Sequence, residues 1–98
     1  MENKTQVARI NKMEKILDEG TGIVSELEQA WEKYEAFADK IDELEQYYTG
    51  GQWQKDFADD EAGKLPRDLK RGVLSEDAVY VFLALRDRVL KRIGNAKM

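Results

Sequence analysis

The sequence predicts an all-α protein in which a long amphipathic N-terminal helix packs antiparallel against a C-terminal helix, with one or two short helices in the connection. Three observations carry this expectation. Apolar residues recur at steps of three and four through most of the first half, and no segment shows the period-two alternation of a half-buried strand. Helix start and stop signals punctuate the second half at Gly50-Gly51, Pro66, Ser75 and Gly94.

The first element is expected over residues 5–48. Val7, Ile10, Met13, Leu17, Val24, Leu27, Trp31, Tyr34, Ile41, Leu44 and Tyr48 fall on one helical phase. With Ile10 as heptad position a, Leu17, Val24, Trp31 and Ala38 share it, and Met13, Leu27, Tyr34, Ile41 and Tyr48 occupy d. Ile16, Ile23, Phe37 and Leu44 at g widen the stripe into a face suited to burial against two neighbours rather than one. Gly20 and Gly22 each cost about 1 kcal/mol in a helix interior and mark the one place where the element could break. The heptad phase nevertheless passes unbroken from Leu17 to Val24, whereas a loop would reset it, so a single helix is favoured over two with Thr21 as a cap. A continuous helix of that length would run for about 66 Å, beyond what the rest of the chain can cover. Continuity therefore implies a partner, most simply a second copy, while a break would give a self-contained bundle.

Gly50-Gly51 stops this helix, and a short helix follows over 52–60, placing Trp53 and Phe57 one turn apart. Residues 61–74 read as a loop in which Pro66 opens a single helical turn through Leu69 that closes at Gly72. Ser75 is the expected N-cap of the last helix, 76–93, with Glu76 and Asp77 at its positive end. Ala78, Val79, Phe82, Leu83, Arg86, Val89, Leu90 and Ile93 form its stripe, Lys91 and Arg92 its last turn, and Gly94 its stop. The tail 95–98 is expected to fray. The 98 residues are read as a single domain.

Composition narrows the chemistry. Charged residues make up 37% of the chain and apolar residues 42%, which suits helices carrying one apolar stripe and argues against disorder. Neither cysteine nor histidine is present, which removes disulfides, thiolate and Ser-His-Asp catalysis, and zinc sites built on those ligands. No phosphate-binding glycine loop or nucleophile elbow occurs, and carboxylate pairs are too abundant to signal acid–base catalysis. The expectation is a protein that is not an enzyme and binds no cofactor. The polar N-terminal sequence and the lack of any long apolar stretch predict a cytoplasmic protein without membrane association. The net charge of -4 disfavours nucleic acid as a partner. That total is split unevenly, with net -6 over residues 1–48 and +2 over 49–98, and the simplest reading is an acidic helix packed beside a basic segment.

The central segment holds two candidate constellations. Asp56, Asp59, Asp60 and Glu61 offer oxygen ligands for calcium or magnesium, but their spacing fits no EF-hand loop, and pairing with Lys64, Arg67, Lys70 and Arg71 is the simpler reading. Tyr47, Tyr48 and Trp53, followed by Arg67, Lys70 and Arg71, could form an aromatic and cationic pocket for a nucleotide, although aromatics at a junction of helices more commonly make core.

The stretch from Tyr47 to Tyr80 resembles a family of small bacterial proteins, the domain of unknown function DUF4298. Tyr47-Tyr48, Trp53, Asp56-Phe57, Asp60-Glu61-Ala62-Gly63, Leu65-Pro66, Asp68 through Asp77 and Tyr80 carry the resemblance. Arg9-Ile10 and Met13-Glu14 extend it towards the N-terminus, and the chain departs from the pattern at Gly20-Thr21-Gly22. The resemblance implies a bacterial origin and no established activity, and it draws attention to the central segment. Tyr48, Trp53, Asp60, Glu61, Arg67, Lys70, Arg71 and Asp77 are the candidate surface residues. Two functions follow as expectations. The first is a protein–protein interaction module using the N-terminal stripe, in a homodimer or with another protein. The alternative is a binder of a small ligand, nucleotide or metal through residues 47–77.

Overall fold

The computed structural model describes the backbone of residues 2–96. The described residues form three α-helices, α1 (Glu2–Thr49), α2 (Gln52–Glu61) and α3 (Ala78–Ala96), with a 3-10 turn at Gly72–Leu74. No strand occurs among them, and none of their helices is long and apolar enough to cross a membrane. The chain divides into two units, residues 1–38 and residues 39–98.

In the first unit α1 runs without interruption through Gly20 and Gly22, as the heptad phase indicates. Two glycines weaken the helix by about 2 kcal/mol, but a break would forfeit several backbone hydrogen bonds and require a second nucleation. The Thr21 hydroxyl donates to the Leu17 carbonyl at 2.6 Å, so even the residue between the glycines is satisfied within the helix. Trp31 and Tyr34 stack at 5.5 Å between ring centroids. The rest of the stripe is open. Val7, Ile10, Met13, Ile16, Leu17, Ile23, Val24, Leu27 and Phe37 are all at least 50% exposed. A methyl group added at Gly22 meets nothing within 4 Å. Gly22→Ala is therefore expected to stabilise α1 by about 0.5–1 kcal/mol, seen as a rise in helical ellipticity at the same temperature.

The second unit has a small core of Ile41, Leu74, Val79 and Leu83. The last turns of α1 pack beside α3, with Ile41 buried and Leu44 half-buried, while Leu90 and Ile93 extend the same face of α3. Arg86 lies on that face with its side chain only 12% exposed. It forms a two-pronged ion pair with Glu45, at 3.0 and 3.3 Å, and its Nε donates to Asp87 at 2.9 Å. These carboxylates raise the Arg86 pKa further above its ordinary value, against the opposing effect of burial.

The helix ends follow local chemistry. The Gly50 amide donates to the Gln46 carbonyl at 2.8 Å, and Gly51 at φ +101° turns the chain into α2. Gly63, at φ +73°, closes α2 in a Schellman motif: its amide bonds the Asp60 carbonyl, and the Lys64 amide bonds that of Asp59, both at 3.0 Å. The Ser75 hydroxyl accepts the Ala78 amide at 3.1 Å, which makes Ser75 the cap of α3, with Glu76 and Asp77 in the turn leading into the helix.

Several boundaries differ from expectation, and α3 begins at Ala78 rather than at residue 76, because Ser75 caps the amide of Ala78 and leaves Glu76 and Asp77 in the preceding turn. Residues 66–69 make a single turn, Leu69 amide to Pro66 carbonyl at 3.3 Å, and the helical turn lies instead at Gly72–Leu74, so Gly72 opens it rather than closing one at Pro66. Further on, α3 continues through Gly94 to Ala96, because a residue without a side chain weakens a helix without stopping it unless it adopts positive φ. Lys91 and Arg92 consequently lie ahead of the last turn. Of the tail expected to fray, Asn95 and Ala96 are helical, and Lys97 and Met98 fall outside the described residues.

Candidate functional site: the central segment

The aromatic residues singled out from the sequence come together. Trp53 stacks on Phe57 at 5.0 Å and meets Tyr48 edge-on at 5.2 Å. Because Trp53 and Phe57 stand four apart on α2, their rings share one face, and the turn at Gly50-Gly51 brings Tyr48 back onto it. The indole Nε1–H of Trp53 donates to the Val73 carbonyl at 2.8 Å, which ties α2 to the 3-10 turn. All three rings are half-buried, and the arrangement is a small core rather than an open stacking platform.

The acids of the α2 end do not converge. Asp56 accepts a hydrogen bond from the Tyr47 hydroxyl at 2.7 Å, Asp59 faces Lys64 at 3.9 Å, and Asp60 accepts from Arg71 Nε at 2.6 Å. Glu61 is exposed. Among the described residues no group of three or more carboxylates could hold a metal ion. The cause is helical spacing, which aims neighbouring acids at different elements.

Arg71 is the hub of the segment. Besides Asp60, its guanidinium donates to the carbonyls of Arg67 and Leu69, each at 3.0 Å, and to that of Pro66 at 2.5 Å. A planar fork of donors is well suited to collecting several carbonyls of one loop at once. Its hydrogen-bonding capacity is thereby directed inward. Arg67, Lys70 and Asp77 point their charges to solvent. Of the eight candidate residues, then, Tyr48 meets Trp53 and Asp60 meets Arg71, in two separate contacts, while Glu61, Arg67, Lys70 and Asp77 are exposed charges. An open depression of 680 Å³ nearby is lined by Lys40, Glu43, Leu44, Gln46, Tyr47, Gly50 and Gln52. None of Trp53, Arg67, Lys70 or Arg71 contributes to it.

Two pairs escaped the sequence reading. Arg86 could have been found, because a charge set among apolar residues on an inward helix face needs a partner, and Glu45 stands on the facing stripe. The Tyr47–Asp56 bond had no such signal. Burial, reinforced by the hydrogen bond and charge of Asp56, pushes the Tyr47 hydroxyl up to about 12 from 10.0. A raised phenol favours the neutral, donating form in the folded state, so its contribution to stability is complete below pH 10 and is lost as pH rises through 12. Melting temperatures followed from pH 9 to 12 should therefore fall less steeply in Tyr47→Phe than in the parent. At neutral pH the same variant should be less stable by about 1 kcal/mol.

A family model described as a domain of unknown function, DUF4298, matches residues 10–93. The chain belongs to this family. The match takes in the open N-terminal stripe from Ile10 onward as well as the second unit, so both are parts of the DUF4298 domain. No curated protein and no solved structure matches the chain.

Proposed function

We propose that this DUF4298 domain is a non-enzymatic interaction module whose N-terminal helix face docks a helix of a protein partner. The observation that carries the reading is the uncovered stripe of α1, in which nine apolar side chains on one helical phase are half or more exposed. A face of that kind is the usual complement of another amphipathic helix, which docks through residues spaced three and four apart. Contiguous exposed apolar patches larger than a few hundred Å² are uncommon on monomers and mark sites of association.

The alternative, a ligand or metal bound at residues 47–77, has less support. Arg71, Asp60 and Trp53 are engaged with their own chain there, and the acids are dispersed. Photo-crosslinking in cells tests the docking reading directly. A benzophenone amino acid at Leu17, on the stripe, is expected to trap a defined protein, whereas the same group at Glu26, outside the stripe, should trap none. Absence of a product from Leu17, or equal products from both positions, would overturn the reading.

A further inference from the structure

The charge of the first unit is divided along its length. Residues 1–15 carry Lys4, Arg9, Lys12 and Lys15 against two acids, net +2, while residues 16–38 carry six acids against Lys33, net -5. Side-chain size is divided as well. The stripe is aliphatic from Val7 to Leu27 and ends on the aromatic rings of Tyr34 and Phe37, with Gly20 at a d position near its middle.

From these two gradients, and resting on the docking reading above, we infer that the partner is a second copy of this chain, paired antiparallel through residues 6–38 about a two-fold axis close to Gly20–Gly22. Charge complementarity decides the direction. An antiparallel pair sets Arg9 opposite Glu35 and Lys12 opposite Glu32, with Asp18, Glu19, Glu26 and Glu28 crowded near the axis, whereas a parallel pair keeps that crowding and also lays Glu32 and Glu35 beside their own copies and base beside base over residues 4–15, within a Debye length of about 10 Å. Size agrees with charge. Counted about residue 22, Ile10 comes opposite Tyr34, Leu17 opposite Leu27 and Gly20 opposite Val24, so large rings meet smaller chains instead of one another. The helix dipoles also oppose head to tail.

The area is sufficient. Nine half-exposed apolar side chains, at roughly 100 Å² each, would remove on the order of 1,800 Å² from two copies, the size of a standard stable interface. The isologous pairing also closes on itself, so it yields dimers and not filaments.

The absence of cysteine makes the test clean, since any introduced thiol is the only one. In the inferred dimer the two Ile10 positions lie about 36 Å apart, while Ile10 of one copy faces Tyr34 of the other. With a short bismaleimide linker, Ile10→Cys alone should give no dimer, and Tyr34→Cys alone should give none either. A mixture of the two should give a product of twice the 11.3 kDa chain mass. Sedimentation equilibrium of the parent should report the same dimer. Crosslinking of Ile10→Cys to itself would overturn the antiparallel arrangement. A monomer at all concentrations would overturn self-association, leaving the docking reading to stand or fall on whether Leu17 traps a different protein.

Discussion

Replacing Leu17 and Leu27 together by glutamate is expected to abolish self-association while leaving residues 39–98 folded. Each leucine is more than 60% exposed in the single chain, so neither supports the chain's own core. Leucine and glutamate have similar helix propensities, and α1 should stay helical. In the pair, however, four leucines come out of water, each worth about 1.5–3 kcal/mol when fully buried, and four carboxylates would take their place in a segment already acidic. The loss of roughly 6 kcal/mol or more corresponds to a dissociation constant weakened by at least about ten-thousandfold. Sedimentation velocity should show a monomer, and circular dichroism should show near-parental helix content at low temperature. Loss of the α3 transition in the same variant would mean that the stripe supports the fold rather than an interface.

The second large effect concerns Arg71. Truncation to alanine is expected to lower stability by about 2–3 kcal/mol, because hydrogen bonds to charged groups are worth more than neutral ones and Asp60 is left facing a gap. For a chain of this size that corresponds to a fall of roughly 10 °C or more in melting temperature. Arg71→Lys should recover only a small part, since a single ammonium can meet Asp60 but not also the carbonyls of Pro66, Arg67 and Leu69. Association through α1 should be unchanged in both variants, because Arg71 belongs to the other unit. Thermal melts and sedimentation on the same samples separate the two effects.

The legibility of the fold in the sequence varied with the range of the forces involved. The long helix could be read through Gly20 and Gly22 because a preserved heptad phase is a strong local signal, and Ser75 could be read as a cap because capping depends on four consecutive residues. The turn after Pro66 could not, since the course of residues 66–71 is set by carbonyls gathered around Arg71, and nothing in local propensity announces that arrangement. The end of α2 was legible to within one residue, but the positive φ of Gly63 that closes it was not, since glycine near a helix end is ambiguous until φ is known. The central segment attracted functional suspicion because acids, bases and aromatics are dense there. In the structure Asp56, Asp59 and Asp60 each meet a different partner, while Glu61, Arg67, Lys70 and Asp77 are exposed. The exposed stripe was the reverse case, legible in the sequence as an excess of apolar residues over what the second half could cover, and present in the structure as side chains facing water.

Hydrogen exchange across a dilution series reports directly whether a second copy covers the stripe of α1. In the dimer, the amides of residues 7–37 gain protection only while a second copy covers the stripe, whereas those of residues 41–90 are protected by their own unit. Protection over residues 7–37 is expected to fall as the protein is diluted, while protection over 41–90 stays constant. Protection of residues 7–37 that is the same at every concentration, or absent even at the highest, would contradict it.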